Sequence, residues 1–251
     1  MRALVTGAAE GLGRALTDAL LAAGHDVVTV DRNTADLERL AIATRGACSV
    51  LKADLANPHA LARLLTQLDG DPFDLVLLNA GISAAGRFED IPRDAYKPVI
   101  DVNVTAPLTI AAALVRDGRM ATKSRMVFVS SLSHVTGYPG AAVYAASKDA
   151  LTVWARSARK PFHKAGVGIT IVFPGPIKTA HANRYAPEGA SAAKRTDPVK
   201  LAPLILKAAR KGRAEFYPGG RLARTVATFA PGLLLRGLRR ALYDKLDKPR
   251  L

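Results

Sequence analysis

Thr6-Gly7-Ala8-Ala9-Glu10-Gly11-Leu12-Gly13 follows the apolar run Ala3-Leu4-Val5 and leads into a helical pattern from Leu12 to Ala23. A strand, a glycine-rich turn and a helix start in that order let backbone amides approach a phosphate. The glycines permit the tight turn, and the unpaired amides and positive dipole of a helix N-terminus favour the charge of a pyrophosphate. The spacing is G-x-x-x-G-x-G rather than the commoner G-x-G-x-x-G. Its plain alternative is a turn whose glycines serve packing alone.

Outward from this stretch, short apolar runs alternate with helix-length segments. Val27-Val30, Ser49-Leu51, Leu75-Leu78, Met126-Val129 and Ile169-Phe173 lack the polar alternation of a half-exposed strand, and segments such as Leu61 to Leu68 repeat apolar residues at three- and four-residue spacing. Runs of that kind suit strands covered on both faces. The expected fold is α/β: a Rossmann-type, doubly wound parallel sheet of about seven strands with helices on both faces. Ala214 to Tyr217, closed by Pro218-Gly219-Gly220, is the candidate seventh strand. Residues 1–220 read as one dinucleotide-binding and catalytic domain, with a long loop or flap over 174–200. Residues 221–251 read as a basic, amphipathic helical extension broken at Pro231-Gly232.

Composition excludes several classes. The 251 residues are 49% hydrophobic and 23% charged, enough to bury a core and unlike a disordered or fibrous chain. A single Cys48 rules out an internal disulfide framework or a cysteine-built metal site, and the five His are dispersed without ligand spacing, so no metal is expected. Val102 to Val115 is interrupted by Asn103 and Pro107, and Val226 to Leu235 by Pro231 and Gly232, short of the ~20 apolar residues of a membrane span. Met1 stands directly before the first strand with no leader pattern, so a cytoplasmic protein is expected. The net charge is +15; from Lys178 onward 17 basic and 5 acidic residues contribute +12 of it. The charge belongs to the C-terminal part and not to the motifs.

Asp31 ends the second strand about 20 residues after the glycine loop, where a carboxylate accepts hydrogen bonds from an adenosine ribose and repels a 2′-phosphate. Arg32 beside it would instead attract that phosphate, so NAD is expected with NADP as the alternative. Asp31 has a plain reading too, as a strand-end carboxylate capping the helix near Thr34. Asp54, with Leu55 after the third strand, either meets the adenine or caps the next turn. Ser131, Tyr144 and Lys148 form the sharpest constellation. Tyr144-Ala145-Ala146-Ser147-Lys148 puts a phenol and an ammonium one turn apart on a helix face. A phenol of pKa about 10 is too weak an acid to ionise at neutral pH, and a nearby Lys cation, helped by an oxidised nicotinamide ring, would lower it. Ser131 can hold a substrate oxygen.

Thr6 to Gly13, Asn79-Ala80-Gly81, Asn103, Ser131, Tyr144 to Lys148 and Pro174-Gly175-Pro176-Ile177-Lys178-Thr179 together resemble the short-chain dehydrogenase/reductase family, in order and spacing, over residues 1 to about 180. The resemblance implies a nicotinamide-dependent oxidoreductase acting on a hydroxyl or carbonyl. Tyr144 would be the general acid/base, Lys148 would bind the nicotinamide ribose and lower the Tyr pKa, and Ser131 would orient the substrate oxygen. Asn103, in the fourth crossover, would hold a water relaying protons from Lys148. Gly7, Glu10, Gly11, Leu12, Gly13, Asp31, Arg32, Asp54, Leu55, Asn79, Ala80, Gly81, Pro174, Gly175, Ile177 and Thr179 would line the cofactor, Ile177 and Thr179 at the carboxamide. The family commonly has two Asn before Ala-Gly; here the first is Leu78, which can serve packing. The resemblance also implies a homodimer or homotetramer, since the Tyr144 helix often packs on its copy. Trp154 and Phe162 on that helix read as core or interface residues.

Tyr138 and Pro139, with Ala180, Ala182, Tyr185, Ala186 and Ala190 of the flap, favour an apolar secondary alcohol or ketone as substrate. His134 either lines that cleft or bonds the backbone. Leu235, Leu238 and Leu242 can share a helix face opposite Arg236, Arg239 and Arg240, fitting either an anionic membrane surface or packing over the domain. A nucleic-acid partner is not expected. The competing function is a nucleotide-sensing binding protein of the same fold that acts through its basic tail.

Overall fold

Residues 1–86, 89–133, 139–184 and 195–219 are described by a computed structural model, with isolated positions 225, 236, 237 and 240. The tail reading on 221–251 and the flap and loop positions His134, Tyr138, Tyr185, Ala186 and Ala190 otherwise lie outside the described residues.

Seven parallel strands form one sheet: β1 Arg2–Thr6, β2 Asp26–Asp31, β3 Cys48–Lys52, β4 Phe73–Leu78, β5 Met120–Val129, β6 Val167–Val172 and β7 Glu215–Phe216. Their order is β3-β2-β1-β4-β5-β6-β7. The chain runs outward from β1 to β3 and then returns to the other side of β1, so the crevice past β1 and β4 is the switch point where such sheets take ligands. The helices are α1 Gly11–Ala22, α2 Ala35–Ala43, α3 Pro58–Gln67, α4 Tyr96–Ile100, α5 Ala106–Arg116, α6 Ala142–Lys164, α7 Ala180–Arg184 and α8 Pro198–Arg210. Helix starts follow local chemistry. The Asn57 side chain accepts from the His59 and Ala60 amides before Pro58, and Asp197 accepts from Val199 before Pro198.

The alternating strand positions feed two cores. Leu4, Val76, Met126, Phe128 and Phe173 meet Ile110, Leu151 and Phe162 on one face. Val5, Leu77 and Val127 meet Leu16, Leu20, Leu37, Leu201 and Ile205 on the other. Leu78 is buried in the first core, which is the packing role its position allowed. Trp154 stands 5.8 Å from the rings of both Phe128 and Phe162, so this aromatic pair belongs to the core.

One element departs from the sequence reading in its bounds. β5 begins at Met120 instead of Met126: Ser124 and Arg125 pair with Val167 and Gly168 although their polar character hides the strand. The crossover into β5 is a continuous helical run from Arg93 through a wide π-type turn at Asp101–Thr105 to Arg116. By length and hydropathy this run could cross a membrane, but half of it is buried within the protein and Ile110 and Ala111 are fully enclosed, as in a core helix.

Candidate active site

The glycine loop is fixed by contacts its sequence only hints at. Gly7 has φ +67° and its missing Cβ would lie 2.8 Å from the Ala80 Cα; a Cβ on Gly13 would lie 1.9 Å from the Gly7 carbonyl oxygen. Both positions therefore admit glycine alone. Thr6 ties the loop to the end of β4: its hydroxyl accepts from the Asn79 and Ala80 amides at 3.0 and 3.1 Å. The Asn79 side-chain amide donates to the Thr6 and Gly7 carbonyls. Helix α1 opens with no acidic residue in its first turn, which leaves the positive end of its dipole for an anion.

Asp31 reaches back to this loop. One carboxylate oxygen accepts from the Ala9 amide and the other from Asn33, each at 3.0 Å. It does not cap α2, whose first turn is preceded by Thr34. Arg32 is exposed beside it. Asp54 accepts from the Ala56 amide at 2.9 Å, as a turn cap, and the Leu55 side chain sits in the core. Glu10 is exposed and Leu12 buried beneath the loop. Thr179, which follows Pro174, Gly175 and Ile177 after β6, stands over Gly11, where a Cβ would come within 2.9 Å of its methyl carbon. Its hydroxyl accepts from the Ala182 amide at the start of α7.

The first two turns of α6 bring Tyr144 and Lys148 to the carboxyl end of β5, beside Ser131. Lys148 is 3% exposed; its ammonium donates to the Val129 carbonyl at 2.9 Å and lies 5.7 Å from the Tyr144 ring centre. Burial pushes it down from 10.5 to about 8. Burial also raises Tyr144 above its ordinary value, and a side-chain hydrogen bond with Ser131 pulls it partly back. Desolvation is the larger of the two effects, and it favours the protonated phenol. Gly81 makes room for the ammonium, since a Cβ there would meet Lys148 Nζ at 3.1 Å.

Asn103 is fully buried in the π-type turn. Its amide donates to the Ile82 carbonyl at 2.9 Å and to Ser147 Oγ at 2.9 Å, and its oxygen accepts from the Ile82 amide at 2.8 Å. It thus fastens the segment after β4 and not its own helix. Ser147 donates to the Tyr144 carbonyl. On the other side of Lys148, the Ser130 and Thr152 hydroxyls both donate to its carbonyl and lie 2.8 Å apart. Sequence reasoning gave no role to Thr6, Ser130, Ser147 or Thr152. The first and third stand inside the motifs themselves, and that proximity was the available signal.

The donor set fits a dinucleotide: a glycine loop at a helix start, a carboxylate at the end of β2 and an ammonium beside a phenol. Among the described residues no group of three or more His, Cys, Asp or Glu side chains could hold a metal. Residues 1–189 match the model of the short chain dehydrogenase family. The chain belongs to this family. Its relatives include the Dehydrogenase/reductase SDR family member 7B of Bos taurus, 29% identical over 93% of this chain and 78% of the relative. The 3-oxoacyl-[acyl-carrier-protein] reductase MabA of Mycobacterium tuberculosis is 31% identical over 70% of this chain and 69% of the relative. A short-chain dehydrogenase from Sphingobium yanoikuyae, solved in complex with NADPH, superposes with a TM-score of 0.79 at 24% identity, covering 100% of this chain and 98% of that one. A 4-hydroxyisoleucine dehydrogenase complexed with NADH gives 0.76 at 24% identity over 88% and 99%. The short-chain dehydrogenase described here is accordingly an NAD(P)-dependent oxidoreductase acting on CH–OH groups.

Proposed function

We propose that the enzyme interconverts an apolar secondary alcohol and its ketone, with NAD(H) preferred to NADP(H). The observation that carries the reading is the convergence of Ser131, Tyr144, Lys148 and Asn103 beside the glycine loop. Glu10 to Gly13, Asn79 to Gly81 and Pro174 to Thr179 would hold the cofactor, with Asp31 at its adenosine ribose. The Asp31 carboxylate, oriented by two backbone amides, would repel a 2′-phosphate. Asp54, which caps a turn through one carboxylate oxygen, would meet the adenine, and Leu55, a core side chain, would contribute backbone. When bound, the nicotinamide supplies or accepts the hydride.

In the reductive direction Tyr144, protonated at neutral pH, donates its proton to the carbonyl oxygen. Ser131, already bonded to Tyr144, holds that oxygen within reach. Lys148 fixes the cation next to the phenol and steadies the phenolate left behind. Asn103 holds the backbone around Ile82, against which the Lys148 ammonium is packed through Gly81. Half-buried and exposed small residues of the flap, Ala182 and Ala180, support an apolar substrate. Exposed Tyr96 and Ile100 on α4 and Val153 on the adjacent α6 support a homo-oligomer.

Steady-state turnover over a panel of secondary alcohols and ketones, with each nicotinamide cofactor, tests the reading. The expected result is turnover of apolar members with kcat/KM at least tenfold higher for NAD(H). Equal or greater efficiency with NADP(H) would assign the selection to Arg32, and turnover confined to charged acids would overturn the substrate class.

A further inference from the structure

A second cleft opens at the end of the sheet opposite the active site. It has a volume of about 550 Å³ and is lined by Arg125, Arg159, Lys160, His163 and Lys164 beside Val167 to Ile169 and Gly212. The cations come from two elements: Arg125 from the middle of β5, and the others from the last turns of α6. Cations at a helix C-terminus complement its dipole and need no ligand. Arg125 has no such excuse, because it stands on a strand.

Arg125 is also built into its place. Its guanidinium passes over Gly168 and Gly212, where a Cβ would come within 2.5 and 3.2 Å of its terminal nitrogen. Any side chain at Gly168 would displace it. One edge of the fork makes long contacts to the Ile169 carbonyl and the Thr170 hydroxyl, at 3.4 and 3.3 Å. Among the described residues no carboxylate pairs with it, and burial alone lowers its affinity for a proton. Arg159 gives two bonds, to Ala214 and Glu215, yet among the described residues its buried Nε has no partner. A buried donor left unsatisfied is destabilising. Glu215 is shared between Arg156 and Arg159, which leaves Lys160, His163 and Lys164 exposed around the mouth without an acid among their described partners.

We propose that this cleft is a second binding site of the enzyme, taking a small oligophosphate of pyrophosphate size or larger. Planar guanidinium forks match phosphate oxygens, and cations spread around a ligand-sized cleft suit an anion with several charges better than a single carboxylate. The site is distinct from the dinucleotide crevice: α6 carries the catalytic pair at its first turns and this cluster at its last, about 24 Å further along the helix.

Calorimetric titration of the cofactor-saturated enzyme with inorganic pyrophosphate tests the site while the dinucleotide crevice is filled. The expected result is saturable binding of one pyrophosphate per chain, weakened about tenfold or more in Arg125→Met and in the surface double variant Lys160→Gln/Lys164→Gln, and unchanged in Arg63→Gln, which removes a charge elsewhere. The double variant alters only exposed side chains, so it remains informative if Arg125→Met does not fold. Binding that is non-saturable, or lowered equally by Arg63→Gln, is attraction to net charge and overturns the proposal. Association with phosphatidylcholine vesicles containing phosphatidic acid, without pyrophosphate binding, overturns it as well.

Discussion

At its amino end α6 carries Lys148, almost wholly enclosed and held by the Val129 carbonyl; twelve residues along the same helix, Lys160 stands exposed at the mouth of a cationic cleft. Among the described residues, the hydroxyls flanking Lys148 have protein partners: Ser147 bonds Asn103 and the Tyr144 carbonyl, while Ser130 and Thr152 donate to the Lys148 carbonyl. Around Arg125 and Arg159 the donors outnumber the acceptors, and one guanidinium nitrogen has none. A satisfied network fixes a side chain within narrow limits, whereas cations gathered around a cleft without carboxylate partners suit an anion. The helix therefore does positioning at one end and offers capture at the other.

The comparison breaks most sharply at Lys148. Lys148→Met is expected to lower kcat/KM about a thousandfold, because Tyr144 loses the neighbouring cation. In the wild type the reductive kcat/KM should fall as pH rises through about 8, where Lys148 loses its charge, and in the variant that limb should vanish. Stability moves the other way. The folded-state pKa is depressed from 10.5, so the unfolded chain binds more protons between about 8 and 10.5, and the wild type gains stability as pH rises across that window. Denaturant melts at pH 7 and pH 10.5 should show it gaining on Lys148→Met, by at most on the order of 3 kcal/mol. A flat difference would mean that Lys148 is ordinarily solvated.

A smaller effect sharpens the contrast. Ser147→Ala removes one acceptor of the Asn103 amide and leaves Asn103 bonded to Ile82. The expected outcome is a loss in kcat of about tenfold with KM for substrate nearly unchanged, since the serine positions and does not touch. Rescue by Ser147→Thr would confirm the hydroxyl as the cause; equal losses in both variants would point to packing.

These two regions also differ in how far the sequence reveals them. The glycine loop and the Tyr144 to Lys148 segment are local: a turn and a helix face set their geometry, so spacing along the chain is enough. The seven parallel strands follow from apolar runs with no alternation, and Met120 to Arg125 was missed because Lys123, Ser124 and Arg125 look like a loop. The Asn103–Ser147 bond joins residues 44 apart in the chain, and the Asn103–Ile82 pair 21 apart, distances at which only the fold sets the contact. The burial of the Tyr144 phenol was equally invisible, because it depends on what covers the side chain. The second cleft assembles Arg125, α6 and Gly212 from separate segments and left no pattern to read.

Single-turnover reduction of a ketone substrate by wild type and Tyr144→Phe, with cofactor affinity measured in parallel, addresses the central assignment most directly. The account predicts a loss in rate of at least about a thousandfold with cofactor binding changed less than threefold, because the phenolic proton is removed while the glycine loop, Asp31 and Lys148 stay in place. A Tyr144→Phe enzyme that keeps a substantial part of its rate would contradict it.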